Sequence, residues 1–236
     1  MDLDRIRHLQ SRGLEVRHVV DIGASNGAWS FEVSALLPQA RFDLFEPLVD
    51  LVPSYRDVVE PLVRARPQFH LHRCALGDRS GRREFLLYPD HPVGSTGLPL
   101  SYVPEGAQRI EVETLTLDEA VGREVPGPPQ VIKVDTQGCE LAVLHGAVET
   151  LPHVDLLILE TWLTRGYGEE TPLFGELVAW LADFHFYVYD FSDGWRDPEG
   201  NPVSQDVFFL NARSAASPLG AELARRTAMK APSRAR

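Results

Sequence analysis

The sequence has few cysteines and no long apolar run. Its two cysteines among 236 residues, Cys74 and Cys139, each lie inside or beside an apolar run. This placement is typical of reduced thiols in a reducing compartment and provides no disulfide framework. No apolar run approaches the ~20 residues that a membrane span needs. The first residues, MDLDRIRHLQ, also lack the apolar region of a secretory signal. We therefore expect a cytoplasmic protein with no membrane association.

Basic residues are outnumbered, which argues against a nucleic-acid partner. The formal net charge is −11, although residues 211–236 hold six of the 23 Lys and Arg residues and only one of the 34 Asp and Glu residues. The rest of the chain is therefore still more acidic, whereas a protein that follows a phosphate backbone needs a basic stripe. We expect no nucleic-acid partner, and we interpret 211–236 as a flexible basic tail.

Several catalytic motifs are also absent. The sequence contains no P-loop and no C-x-x-C pair. NTPase and thiol-redox chemistry therefore lack support. His70 and His72 would share one face of a strand, but no third ligand accompanies them, so we predict no metal site there.

The segments that are present alternate between strand-like and helix-like patterns over residues 1–210. This alternation predicts a single α/β domain with a mostly parallel, seven-stranded sheet and helices on both faces. The predicted strands are 18–22, 41–45, 69–74, 131–135, 154–160, 184–190 and 206–210. The predicted helices are 27–37, 48–65, 138–150 and 173–183.

A longer polar interval, 77–129, separates the third and fourth strands. Within it, RREFLLYP and RIEVETLTL alternate between polar and apolar residues and predict an antiparallel pair. TLDEAVG predicts a short helix in which Thr116 and Glu119 have the spacing of a capping box. The loop 91–99 either covers a site or only connects strands, and we include its Ser95 among the candidate substrate-binding residues.

Four of the predicted central strands end at or near an acidic residue. These residues are Asp21, Glu46, Asp135 and Glu160. The carboxyl ends of parallel strands meet at one edge of a sheet, where open α/β folds bind ligands. A single acid of this kind is better explained as a charge at the start of a helix, but four at matching positions favour a site. Glu140 remains open between a site role and a helix-start charge.

The stretch VVDIGASNGAWS, residues 19–30, predicts a tight turn from strand to helix. Gly23 and Gly27 flank this turn, where missing side chains let a ligand approach the backbone. The turn departs from G-x-G-x-x-G because Ser25 stands two positions after Gly23. Glu46 follows Asp21 by 25 residues and is suited to accept hydrogen bonds from a ribose diol. Together these features predict a nucleoside site.

The sequence resembles the FkbM-type S-adenosylmethionine-dependent methyltransferases over most of residues 17–210. The resemblance rests on VVDIGASNGAWS, LFEP, CALGD, TLTLDE, LLILETW and DVFFL. Its most specific element is IKVDTQGCELAVLHGA, which is close to the family's strand–Asp–x–x–Gly–x–Glu–helix signature. The resemblance implies a Rossmann-like methyltransferase fold with an antiparallel last strand, and S-adenosylmethionine as the cofactor.

The resemblance also implies which residues contact each part of the cofactor. These are Gly23, Ala24, Asn26 and Gly27 at the methionine end, Glu46 at the ribose, and Cys74 and Ala75 near the adenine. We add three residues of the same turn and strand ends to the predicted cofactor site: Asp21, Ser25 and Asp135.

Methyl transfer to a hydroxyl group needs an in-line geometry and a group that removes a proton. Asp135 and Glu160 are the candidate catalytic residues, and an acidic pocket would also attract a sulfonium. Mg²⁺ held by these two carboxylates remains an open alternative. Trp162 and Tyr167 are candidate substrate-binding residues or core aromatics.

We therefore predict an S-adenosylmethionine-dependent O-methyltransferase that acts on a hydroxyl of a sugar or hydroxylated natural product. A nicotinamide-dependent oxidoreductase is one alternative, although the third phosphate-side glycine and a Tyr-x-x-x-Lys pair are missing. A cofactor-binding module without catalysis is the other, and it would be favoured if Asp135 and Glu160 were both dispensable.

Overall fold

A computed structural model describes residues 2–99, 103, 105–192, 194–213 and 222 of the protein. Most of the predicted basic tail lies outside these described residues, so its flexibility stays a prediction. Within the described part of the chain, no helix has the length and apolar character needed to cross a membrane.

The described residues form helices and strands in alternation, as the sequence predicts. The α-helices are α1 (Asp2–Ser11), α2 (Ala28–Ser34), α3 (Pro53–Ala65), α4 (Leu117–Ala120), α5 (Glu140–His145) and α6 (Phe174–Ala182). The strands are β1 (His18–Ile22), β2 (Arg41–Phe45), β3 (Phe69–His72), β4 (Ala75–Leu76), β5 (Gly81–Leu87), β6 (Gln108–Leu115), β7 (Val131–Val134), β8 (Leu156–Trp162), β9 (Phe186–Phe191), β10 (Trp195–Arg196) and β11 (Pro202–Asn211).

The main sheet has the strand order β10–β11–β8–β7–β1–β2–β3, and β9 also pairs with β11. Strands β3, β2, β1, β7 and β8 are parallel to one another. Strand β11 is antiparallel to β8, and both β9 and β10 are antiparallel to β11. The predicted α/β class and antiparallel last strand are therefore confirmed. The described sheet has eight strands instead of seven, because the short β10 pairs with the start of β11.

Helices pack on both faces of this sheet, as predicted. Successive side chains of a strand point to opposite faces, so a strand covered on both sides must be apolar throughout. In β1, Val19 is buried in the apolar cluster that includes residues of α1, α2 and α3. Its neighbour Val20 is buried in the cluster that includes residues of α4, α5 and α6. The central strands are thus held in place from both sides.

A second sheet forms from β4 and two strands of the interval 77–129. It has the order β4–β6–β5, and β5 pairs with β6 in the antiparallel manner that the alternating pattern predicts. Thr116 Oγ1 accepts the backbone N–H of Glu119 at 3.1 Å and thereby caps α4. The carboxylate of Glu119 accepts a hydrogen bond from Ser80 instead of returning to Thr116, so only half of the predicted capping box forms.

Candidate active site

A cavity of about 510 Å³, which we call the main cavity, opens beyond the carboxyl ends of β1, β2 and β7. The strand order reverses between β1 and β7, which is where open α/β sheets bind ligands. Its walls come from residues that follow these three strands, from the second sheet and from the loop 92–99. Its volume is within the range of small-molecule sites.

The turn after β1 depends on Gly23. This residue has a φ of 78°, in the left-handed region that favours glycine. The backbone N–H groups of Gly23 and Ala24 both donate to the carbonyl oxygen of Phe45, at 3.0 and 3.1 Å. A Cβ atom at Gly23 would overlap the carbonyl oxygen of Asp135. The turn therefore lies directly against the end of β7, and these backbone contacts hold together the strand ends that form the cavity wall.

Glu46 follows β2, lines the main cavity and is only 5% exposed. Its Oε2 accepts the backbone N–H of Ser25 and its Oε1 accepts that of Leu48, each at 2.8 Å. Burial raises the pKa of Glu46 to about 7, although the two N–H donors act in the opposite direction. A carboxylate has about four acceptor positions, so about two remain for the hydroxyl groups of a ligand.

Asp135 follows β7 and lines the same cavity. Lys133 Nζ donates to its Oδ2 at 2.9 Å, and Gln137 Nε2 donates to its Oδ1 at 2.7 Å. Burial raises the pKa of Asp135, but the charge of Lys133 and these hydrogen bonds outweigh burial and lower it. Asp135 is therefore an ionised carboxylate at neutral pH, with its side chain 33% exposed.

Glu160 differs from Asp135 in both position and charge. Strand β8 continues to Trp162, because its pairing with β11 extends as far as Ser204. Glu160 therefore lies inside the strand and not at its end, where the sequence predicts it. Ser204 Oγ donates to its Oε1 at 3.2 Å. Burial and the nearby Asp135 carboxylate raise the pKa of Glu160 to about 10. Glu160 therefore carries a proton at neutral pH.

Gln137 connects these groups, although it is not among the site residues predicted from the sequence. Its Nε2 donates to Asp135 Oδ1 and, at 2.8 Å, to Glu160 Oε2. Its Oε1 accepts the Tyr167 hydroxyl at 2.7 Å, and its backbone oxygen accepts Thr96 Oγ1 at 2.7 Å. The only sequence signal for this role is its place within the Asp135–Gly138 signature. One amide side chain thus fixes the orientation of both candidate catalytic carboxyl groups.

We expect Gln137→Met to lower the free energy of unfolding by about 2 kcal/mol. The substitution keeps the length of the side chain but leaves Tyr167 and the two carboxyl groups without their amide partner, and unsatisfied polar groups cost about 1–3 kcal/mol. Urea unfolding followed by circular dichroism measures the difference. The control is Gln39→Met on the exposed surface, which should change stability by less than about 0.5 kcal/mol. Equal effects of the two variants would contradict the linking role of Gln137.

Glu140 stabilises the loop before α5. It is fully buried, and its Oε1 accepts the backbone N–H groups of Thr136 at 3.0 Å and Gly138 at 3.1 Å. Burial raises the pKa of Glu140 to about 7. It does not line the main cavity, and these hydrogen bonds favour a local structural role.

The structure brings some of the predicted site residues to the main cavity and not others. Those that line it are Gly23, Ser25, Glu46, Ala75, Ser95 and Asp135. The predicted residues outside its lining are Asp21, Ala24, Asn26, Gly27, Cys74, Glu160, Trp162 and Tyr167.

Most of the residues outside the lining have evident partners elsewhere. Asp21 is 1% exposed, its Oδ2 accepts the Ser30 hydroxyl at 2.6 Å, and burial raises its pKa. Cys74 is buried in the core that contains α4 to α6. Trp162 is buried and meets the ring of Tyr167 edge-on at 5.1 Å. The roles assigned to these residues from the sequence stay predictions.

Several lining residues are not predicted from the sequence. The loop 91–99 lines the main cavity, to which Pro92, Val93 and Leu98 contribute besides the predicted Ser95. This answers the question of whether the loop covers a site or only connects strands. Further lining residues come from β2, α3, the second sheet and α5: Phe45, Tyr55, Arg79, Arg83, Phe85, Leu141 and His145.

The described ranges contain no group of three or more His, Cys, Asp or Glu residues that could hold a metal ion. The Mg²⁺ alternative at Asp135 and Glu160 therefore gains no support. These carboxyl groups already receive hydrogen bonds from Lys133 and Gln137. His72, one of the two strand histidines considered as metal ligands, has its Nε2 atom 2.8 Å from Asp43 Oδ1.

Comparisons with known proteins agree with this geometry. The sequence profile of the methyltransferase FkbM domain matches residues 21–191. Methyltransferase sdnD of Sordaria araneosa is 28% identical over 185 residues, which cover 63% of this chain and 67% of that protein.

Solved structures show a similar fold. The crystal structure of methyltransferase FkbM from Methylobacillus flagellatus KT superposes with a TM-score of 0.53 at 16% identity, over 81% of this chain and 43% of that chain. This chain therefore spans less than half the length of that protein. A 1,6-didemethyltoxoflavin-N1-methyltransferase from Burkholderia thailandensis, solved with 1,6-didemethyltoxoflavin and S-adenosylhomocysteine, has a TM-score of 0.44 at 14% identity, over 89% of this chain and 76% of that chain. The second likeness is too weak to indicate anything about ligands of this chain.

Proposed function

The chain belongs to the methyltransferase FkbM family, and we propose that it transfers a methyl group from S-adenosylmethionine to a hydroxyl oxygen of a small molecule. The observation that carries the proposal is Glu46, a buried carboxylate with about two free acceptor positions at the wall of the main cavity. We further propose that the acceptor is a sugar or a hydroxylated natural product, that no nucleic acid is involved, and that the reaction occurs in the cytoplasm.

The residues around the main cavity fit S-adenosylmethionine. Glu46 would accept the two ribose hydroxyls, and the bare backbone at Gly23 would let the methionine end approach the end of β1. Ala75, which lines the cavity, would contact the adenine, whereas Cys74 is buried in the core. The ionised Asp135 adds negative charge, which attracts a sulfonium.

Asp135 is the base in this proposal. When bound, S-adenosylmethionine would supply the methyl group: the acceptor oxygen would donate an electron pair to the methyl carbon, and the bond from that carbon to sulfur would break with its electron pair left on sulfur. The acceptor oxygen becomes strongly acidic as it gains the methyl group, so even a carboxylate of lowered pKa can take its proton. Lys133 and Gln137 hold Asp135 in place for this transfer. Glu160, which is protonated at neutral pH, is not used as a base.

The proposal is tested by incubating the protein with methyl-labelled S-adenosylmethionine and separate panels of sugars, hydroxylated small molecules and transfer RNA. Label in a hydroxyl-bearing small molecule, with the mass gain of one methylene, is the expected result. Label in the RNA alone, or a product methylated at nitrogen or carbon, would contradict the proposed acceptor.

We expect Asp135→Asn to slow turnover of the best acceptor about a hundredfold, because the proton loses its recipient. Affinity for S-adenosylhomocysteine, measured by calorimetry, should change less than turnover does. The control is Asp183→Asn, an exposed carboxylate after α6, which should have the wild-type rate. A wild-type rate in a folded Asp135→Asn variant would remove Asp135 from catalysis. If the wild type bound S-adenosylhomocysteine but methylated no acceptor, a binding module without catalysis would be favoured.

A further inference from the structure

A second cavity of about 370 Å³ adjoins the main cavity on the side of the second sheet. The two cavities are neighbours, because both are lined by Arg79, Arg83, Phe85 and residues 97–99. The side chains of Arg79 and Arg83 are joined there by two further arginines, Arg82 and Arg109, and we call this space the arginine cavity.

The four arginines lie on and beside the paired strands β5 and β6. Arg82 and Arg109 are on the same face of this pair, because Arg109 of β6 stands opposite Leu86. Arg83 follows Arg82 in β5 and is on the other face, and Arg79 lies in the turn that precedes β5. The acidic residue in the lining of the arginine cavity is Glu84. In a chain of net charge −11, this concentration of arginine is opposite to the overall trend.

The acidic partners of these arginines leave room for a ligand. Arg82 lies 3.6 Å from Glu111, with the two side chains 74% and 68% exposed. Arg109 pairs with Glu84 and Arg83 pairs with Asp78, also at partly exposed positions. Exposed ion pairs of this kind contribute little to stability, so a ligand can replace them.

Arg79 differs from the other three. Within the described ranges its guanidinium has no hydrogen bond or ion pair, although it lies at the junction of the two cavities. A guanidinium group presents a planar set of N–H donors that matches two oxygens of a phosphate or carboxylate. Its position therefore fits an anionic group that enters from the main cavity.

We propose that the arginine cavity binds a phosphate or carboxylate group of the methyl acceptor, so that the acceptor is an anionic compound. The inference rests on the proposed function, because it assigns the reacting hydroxyl to the main cavity and the anion to the arginine cavity. The apolar side chains of Phe85 and Leu98, which line both cavities, would contact the part of the acceptor between these two groups.

The test uses the full chain and two small anions, inorganic pyrophosphate and malonate, titrated calorimetrically at constant ionic strength. We expect saturable binding of at least one of them, and the stronger one identifies phosphate or carboxylate as the preferred group. Arg79→Gln and Arg83→Gln should each weaken this binding about tenfold, the effect of losing one charge-assisted hydrogen bond. The matched control is Arg64→Gln, an exposed arginine of α3 that lines neither cavity, and its affinity should stay within about twofold.

Titration of the wild type and of Arg64→Gln with S-adenosylhomocysteine separates this inference from the proposed function. We expect both to bind it, because Arg64 lines neither cavity. Failure of S-adenosylhomocysteine to bind the wild type would count against the proposed function, whatever the anions do. The anion site itself is contradicted if neither anion binds saturably, if the two cavity variants bind as the wild type does, or if Arg64→Gln weakens binding equally.

Discussion

Gly23→Ala should lower the free energy of unfolding by about 4 kcal/mol, a large fraction of the ~5–15 kcal/mol that stabilises a typical domain. The new Cβ would overlap the carbonyl oxygen of Asp135, which belongs to the backbone and cannot turn aside. Alanine would also have to keep the left-handed φ of 78°. Overpacking and backbone strain each cost about 1–3 kcal/mol, and here they add.

Denaturant unfolding of Gly23→Ala and Gly122→Ala separates the two causes. Gly122 has a φ of 89°, but no neighbouring atom lies within 4 Å of the position that a Cβ would take. Its substitution should therefore show the strain alone, about 1 kcal/mol. If both variants lost the same stability, the close packing of the turn against β7 would be refuted, and with it the shape derived for this wall of the cavity.

Glu46→Ala should weaken the binding of S-adenosylhomocysteine about a thousandfold. Hydrogen bonds to a charged group are worth about 1.5–3 kcal/mol each, and two ribose hydroxyls lose their acceptor. The backbone N–H groups of Ser25 and Leu48 also lose the oxygens that they contact at 2.8 Å, so the turn itself becomes less well fixed.

The pH dependence of binding gives an independent measure of the role of Glu46. Burial raises its pKa to about 7, and the ionised form is the one that accepts hydrogen bonds at both oxygens. Affinity of the wild type for S-adenosylhomocysteine should therefore fall as the pH is lowered from about 8 to about 6. Glu46→Gln is isosteric and uncharged, so it should bind more weakly and without this pH dependence. Unchanged affinity in both variants would exclude Glu46 from the site.

The sequence predicts most of the sheet because each central strand is apolar on both faces, and this local signal is strong. Strand β8 is predicted two residues too short at its end, since its extension depends on pairing with the distant β11. The helix α1 is absent from the predicted elements. It forms because Ile6 and Leu9 are buried against other elements, and the mostly polar sequence of this stretch does not reveal that burial.

The distinction between local sequence signals and contacts with distant residues applies to the site as well. Gly23, Glu46 and Asp135 can be predicted because each stands at the end of a recognisable strand. Gln137 cannot, because its significance arises from contacts with residues far along the chain, such as the 2.7 Å bond from Tyr167. Arg79 cannot, because its place beside both cavities is set by tertiary packing. Local spacing identifies the residues next to the strand ends, whereas the loops that complete the cavity depend on tertiary packing.

The most direct test of the central claim is calorimetric titration of the purified protein with S-adenosylhomocysteine, with NAD⁺ as the parallel ligand. The proposed site predicts saturable binding of S-adenosylhomocysteine, lost in Glu46→Ala, and no binding of NAD⁺. Binding of NAD⁺ in its place, or of neither ligand, would contradict the proposed use of S-adenosylmethionine at the main cavity.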